Sequence, residues 1–560
     1  MKERYIDLME KALSAYSDEH INRYFDEVKE KGLTEHGFPR LTADIGILIA
    51  HGRRKDLLPV FIEMMEFCCK TIPCVKAAND FSVREIVCCL VEIEQNEVVP
   101  KKLTKRWRNY FSEINPTTCY NQFATSPDDK VRNWALFTAV SEYFRQSANL
   151  CDSSDFIELQ ILQQLQWFDE NGMYKDNKHA DIHNPIVYDL GPRGLFSLLL
   201  NHGYRGKYYD RVDNILKKAG LLTLKMQSPN GELAFGGRSN QFLHNEPGLC
   251  VVYEYEAKRY ANENNTELSK AFKAAADRAL SVTEQWLSET PIRHIKNRFE
   301  TETKFGCETY AYFDKYMITV ASILYMAYLI CDDSIVYEPE KDDTPCVAVT
   351  SEYFHKLFLK SGGYGLEFDL NADTAYDANG LGRIHKAGAP STICLSVPCP
   401  KKPSYTIDID NPIAFSACSA IHTEKGWIFG ADENTSYEIA ETEAELNSAR
   451  ATLFCHFENG KSIKEQYTVN DSGVLITTEG EGEIAFLLPA FEFDGETKPV
   501  IEVEKQTLSV SYKGWICRYT TNGTIGDLNK VAANRNGHYH IFYVAARDVL
   551  KVKIEIFKNK

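Results

Sequence analysis

A change of rhythm near residue 345 constrains this chain more than any other feature. Up to about residue 331, apolar residues recur at helical spacing, as in Ile45, Leu48 and Ile49 or along 57–69, 83–93, 209–226 and 268–287. Short polar breaks separate these runs, giving about a dozen helices. That many antiparallel helices either stack as a solenoid or close into a ring. No fixed repeat period is visible, so a closed ring is the expectation. From residue 347 onward, short β-rich runs such as 364–368, 484–487 and 540–543 alternate with Gly, Asn and Asp turns. They predict an antiparallel sandwich of two large sheets. The 560 residues also exceed what one core serves. The expected fold is multidomain α + β. An N-terminal (α/α) toroid, the catalytic domain, spans 1–340. An acidic connector covers 332–345, and a C-terminal antiparallel β-sandwich spans 345–560.

The balance of charge narrows the partners. With 63 basic and 79 acidic residues the net charge is −16, which repels phosphate backbones and anionic membranes. Nucleic acid and membrane are therefore not expected as partners. No apolar run looks long enough to span a bilayer, and the first residues lack an apolar signal core. Among 16 cysteines, the pairs Cys68-Cys69 and Cys88-Cys89 fall inside helical patterns. They read as buried small hydrophobes in a reducing compartment, so a cytoplasmic location is expected. Aromatic residues make up 12% of the chain, which suits both a large core and a cleft that stacks on sugar rings.

One short run concentrates groups that grip or protonate a polar ligand: Arg238, Asn240, Gln241, His244, Asn245 and Glu246, following Gly236 and Gly237. It reads as a loop between two helices, and two glycines permit close backbone approach. Four other stretches stand out. In 178–189, His179, Asp181 and His183 alternate and lead to Tyr188. No resident cofactor is expected, and a divalent metal at His179, Asp181 and His183 is the less favoured alternative to a hydrogen-bonded pocket wall. In 291–299, Arg298 belongs to a basic island that suits either a substrate carboxylate or a helix C-terminus. In 306–316, Glu308, Tyr310, Tyr312, Asp314 and Tyr316 open the last ring helix, with Tyr312 and Tyr316 on one face. In 377–390, small turn-formers hold Arg383 and His385, as a loop of the sandwich reaching over the ring.

A helical toroid followed by an antiparallel sandwich, with these loops, resembles the toroid-plus-sandwich polysaccharide lyases, the heparinase II/III-like, alginate and chondroitin lyases among them. The runs 237–241 and 310–316 are similar to those of the exo-acting L-rhamnose-α-1,4-D-glucuronate lyases. The resemblance implies β-elimination at a glucuronate within a uronic-acid-containing oligosaccharide. It puts Arg383 and His385 where heparinase-like lyases carry a catalytic histidine, although the histidine-rich sandwich signature of heparinase II/III is absent. Elimination needs a neutralised carboxylate, a base for H5 and an acid for the leaving oxygen. Asn240, His244, Tyr310, Tyr312 and His385 are the catalytic candidates. Glu246 is a sixth, orienting His244 or capping the next helix. Arg238, Gln241, Asn245, His183, Tyr188, Arg298, Glu308, Tyr316 and Arg383 are the binding candidates. Toroids also serve β-glucuronidases and unsaturated glucuronyl hydrolases, which would need paired carboxylates, here from Glu246, Glu308, Asp314 and Asp189. A non-catalytic glycan-binding protein is the third possibility.

Overall fold

The computed structural model describes residues 1–176, 182–339, 344–424 and 426–559. Among the described residues, fourteen α-helices, from Lys2–Leu13 to Phe313–Ile330, precede the first strand, Cys346–Val349. The chain is an (α/α) toroid followed by an antiparallel β-sandwich. The first helix closes the ring by packing on the last. Arg4 Nε donates to Glu284 at 3.0 Å, and Ser322 Oγ of the last helix lies 2.9 Å from both the Asp44 and Glu85 carboxyls. Polar caps set several helix starts. Ser17 accepts from His20 N, and Asn265 accepts from Leu268 N. Gly46 lets helix Gly37–Ala50 press against its neighbours, since a Cβ there would lie 2.3 Å from Cys89 Sγ and 2.4 Å from Phe61. Cys68, Cys69, Cys88 and Cys89 are buried in that packing, and no disulfide occurs among the described residues.

Helix Phe313–Ile330 departs from expectation. It is long and apolar enough to cross a membrane. Its apolar residues instead pack against helices Lys2–Leu13, Gly37–Ala50 and Asn245–Asn262.

The sandwich is less even than its strand pattern suggested. Among the described residues, one sheet has 4 strands and the other 11. In the larger sheet, strands Gly473–Phe493 and Gly537–Lys558 form the central antiparallel pair. The small sheet lies across it, with the Phe368 ring edge-on to Tyr467 at 4.8 Å. Residues 377–390 are not simply a loop, because Gly380–Lys386 is a strand whose Arg383 pairs across with Glu367. Its glycines are there for proximity. A Cβ on Gly382 would lie 2.6 Å from the Phe235 ring.

Candidate active site

Residues 227–244 link helix Tyr209–Met226 to helix Asn245–Asn262. They begin with a turn in which Gly231 N donates to Ser228 O at 2.8 Å. The loop is then held from two sides. On the ring side, Leu243 N donates to His294 O and Lys296 N to Gln241 O, both at 3.0 Å. On the sandwich side, Phe235 N donates to Glu367 at 3.0 Å and Gly237 N to Asp377 at 2.7 Å. Positive φ at Gly237 (73°) and Ser239 (64°) turns the intervening backbone. Ser239 N can thus donate to Glu308 at 2.8 Å, and the same carboxylate oxygen accepts from Arg535 at 2.8 Å.

This anchoring presents Ser239 to two phenols. Its Oγ lies 2.7 Å from Tyr310 Oη and 3.3 Å from Tyr188 Oη. The Arg238 guanidinium covers the Tyr188 ring at 4.3 Å and pairs with Asp176. Burial, with Tyr188 and Glu308 nearby, holds the Tyr310 phenol well above its usual range.

Beside the phenols, a cavity of about 320 Å³ occupies the ring centre. Its walls come from helices Gly37–Ala50, Val83–Gln95, Trp134–Ser147, Ile186–Asn201, Asn245–Asn262 and Phe313–Ile330. Tyr188, Ser239, His244, Asn245 and Tyr316 all line it. Tyr316 stacks on Phe242 at 4.0 Å and 2°, and His244 lies parallel to it at 5.8 Å. Burial, then the charges of Arg40 and Lys296, push His244 down to about 3. It is therefore neutral at pH 7. His244 Nδ1 and Asn245 Oδ1 are buried without a hydrogen-bond partner.

Other expected site residues are placed elsewhere. Asn240 Nδ2 donates to Ala234 O at 3.2 Å and Gln241 Nε2 to Lys296 O at 2.7 Å, so both amides brace the loop itself. Glu246 does not orient His244. It accepts from Lys296 Nζ at 2.7 Å and from Leu233 N at 3.2 Å. Nor does it cap the helix, whose N-cap residue is His244. His385 and Arg383 lie behind the loop, on the sandwich strand, rather than on the cavity wall. His385 Nδ1 is 2.6 Å from Ser228 Oγ, and burial holds the ring down to about 3. Arg383 binds Glu367 at 2.8 Å and Leu233 O at 2.7 Å. Arg298 stacks on Trp286 at 5.1 Å and reaches Glu289 and Asp494, at the junction of ring and sandwich. Tyr312 is 54% exposed. It precedes the last helix in extended conformation, so it does not share the face of Tyr316. His183 packs edge-on against His355 at 5.1 Å. His179 and Asp181 lie outside the described residues.

The four carboxylates considered for hydrolysis are all engaged. Glu246 and Glu308 bind Lys296 and Arg535. Asp189 binds Arg193 and accepts from Tyr174 N at 2.7 Å, and Asp314 meets His20 at 2.9 Å. Sequence reasoning passed over Ser239 as an acting group. It also missed the cavity residues Arg40, Arg84 and Glu85. Charges set within otherwise apolar helices were the available signal.

No family profile matches the chain, and no curated protein does. Distant likenesses exist among solved structures. A heparan sulfate lyase mutant from Pedobacter heparinus is 9% identical, with 93% of this chain and 77% of that chain covered and a TM-score of 0.49. A heparinase III gene product is 9% identical over 99% of this chain and 77% of its own, at 0.47. A glycosyl hydrolase family 88 protein from Bacteroides vulgatus is 10% identical over 59% of this chain and 98% of its own, at 0.35.

Proposed function

We propose that this chain is a glycan lyase, cleaving uronic-acid-containing oligosaccharides at glucuronate by exo-acting β-elimination. One observation carries the reading. The proton-transfer groups are a neutral imidazole on the cavity wall and a protonated phenol beside it, while the carboxylates considered for hydrolysis, and Glu85 on the wall itself, are engaged by other residues. Elimination needs an acceptor for H5 and a donor for the departing oxygen. His244, neutral and on the cavity wall, suits the first task. Tyr310, which keeps its proton, suits the second, and the hydroxyls of Ser239 and Tyr188 offer it a route to be reprotonated. Arg238, over the Tyr188 ring beside the cavity, adds a positive charge that would favour the charge developing on the carboxylate during proton removal. The motif likeness of 237–241 and 310–316 to rhamnose-glucuronate lyases points the same way.

The test is a digest of glucuronate-containing oligosaccharides read by mass spectrometry and ultraviolet absorbance. The expected products sum to the substrate mass and include a conjugated C4=C5 bond. Products heavier by one water, without that absorbance, would overturn elimination in favour of hydrolysis.

A further inference from the structure

Two arginines reach the ring-centre cavity and share one acid. Arg84 Nη2 donates to Glu85 Oε1 at 2.7 Å, and Arg40 Nε donates to Glu85 Oε2 at 2.9 Å. Arg40 Nη1 also donates to Thr319 at 2.8 Å. All three charged residues line the cavity, and the arginines are only 5% and 4% exposed. Asp44 is buried beside Glu85, both 2.9 Å from Ser322 Oγ, and is not part of the cavity wall. Burial and the Glu85 charge push its carboxyl well above the usual range. The cavity wall itself carries two guanidinium groups against one carboxylate. Arg84 Nε and Nη1 and Arg40 Nη2 donate to no protein group among the described residues. Buried cations with open donors are costly unless an anion completes them.

Size and the other walls limit what that anion can be. A cavity of about 320 Å³ lies at the small end of ligand pockets, which run from ~300 to 1,000 Å³, so it has room for a single ring and not an extended chain. Phe81, Trp134 and Phe137 form its aromatic wall, with Phe81 edge-on to Trp134 at 4.7 Å and tilted against Phe137 at 4.5 Å. Such faces suit the C–H side of a pyranose. We propose that Arg84 and Arg40 seat the carboxylate of one uronate ring at the ring centre. This deepens the lyase reading and rests on it for the identity of the sugar. The Arg40 charge also acts on His244, so a carboxylate seated there lies within electrostatic reach of the proposed base. A planar guanidinium pair is the natural receptor for a planar carboxylate. The single-ring volume supports attack at a chain terminus.

Calorimetric titration of the full chain with sodium D-glucuronate and with D-glucose tests the seat without requiring turnover. Glucuronate is expected to bind at least ~10-fold more tightly, as a charge-assisted contact would give. Arg84→Met should abolish that preference while glucose binding persists. Arg84→Lys, which keeps the charge and the pairing with Glu85, should retain only part of it. Equal binding of the two sugars to the native protein, or an undiminished preference in Arg84→Lys and Arg84→Met, would overturn the seat. The preference is a ratio within one protein, so a loss of folded material does not imitate its loss. If glucuronate is preferred but digests gain water, the elimination reading falls and the seat stands. If elimination occurs without the preference, the seat falls and the elimination reading stands.

Discussion

Where ring meets sandwich, buried cations each find an acid: Lys296 meets Glu246 at 2.7 Å, Arg383 meets Glu367 at 2.8 Å and Arg535 meets Glu308 at 2.8 Å. At the ring centre, Arg40 and Arg84 divide Glu85 between them, and His244 Nδ1 and Asn245 Oδ1 have no partner. Both regions bury charge at a desolvation cost. At the junction each of these cations has its own acid, although Glu246 Oε2, Glu308 Oε2 and two nitrogens of Arg293 stay unpartnered, and the result is a fixed loop. At the centre two cations share one acid, and all three line a cavity. Density of polar residues alone does not separate the two, because Asn240 and Gln241 are as polar as His244 yet serve the loop's backbone.

Substitutions should divide along the same line. The largest effect is expected from His244→Ala. Removing a general base typically lowers turnover by ~10²–10⁴-fold, and thermal unfolding should change little because the ring faces the cavity. A variant that unfolds early and keeps its turnover per folded molecule would move His244 to the scaffold. Glu246→Gln should do the opposite. It leaves Lys296 buried without its acid, at a cost of about 3–5 kcal/mol of stability, measurable by denaturant titration. Turnover abolished in an equally stable Glu246→Gln protein would reinstate it as an acid or base. Tyr310→Phe keeps the packing and removes the donor, so kcat should fall by ~10²-fold with KM nearly unchanged.

The pH profile is a subtler probe. His244 is held at about 3, below the 6.5 of an ordinary imidazole side chain. Between those values an unfolded chain takes up a proton that the native site refuses, so the contribution of His244 to stability falls as pH drops through 6.5. Activity that depends on its neutral form should persist through that range in the molecules that remain folded. An acid limb in kcat centred near 6.5 would show that His244 is not the base, or that its surroundings are wetter than the structure shows. The smallest effect is expected at Tyr312→Phe. The side chain is exposed, with the Lys304 ammonium 4.5 Å from the ring, and turnover should stay within about twofold, the range of ordinary surface changes.

The fold was legible because periodicity is written into every turn and strand. The switch from a spacing of about 3.6 to one of about 2 separates the helices before Ile330 from the strands after Cys346. The loop holding Ser239 and His244 was legible from its glycines and polar density. The strand Gly380–Lys386 was not, since Gly382 is explained by the Phe235 ring, a contact 147 positions away in the sequence and invisible to local pattern. Arg383 and His385 were singled out for the same reason that they are buried. Charged groups beneath a loop and charged groups on its working face look alike in one dimension. Arg40 and Arg84 escaped notice because they lie on separate helices, Gly37–Ala50 and Val83–Gln95, and only helix packing brings Arg40 onto Glu85 and Thr319.

The carboxylate of Glu308 that holds Ser239 N also holds Arg535, made 227 residues later. During synthesis at about 5–20 residues per second, that interval is roughly 10–45 s. Throughout it the helices of the ring are already available to pack, yet Asp377 appears about a third of the way through and Arg535 only at its close, so the loop lacks its full set of far-side anchors. Assembly of the site is thus scheduled by the order of the chain. The hydroxyl cluster of Ser239, Tyr188 and Tyr310 gains its final supports only when the sandwich arrives, and a nascent ring alone would present a pocket without an ordered mouth.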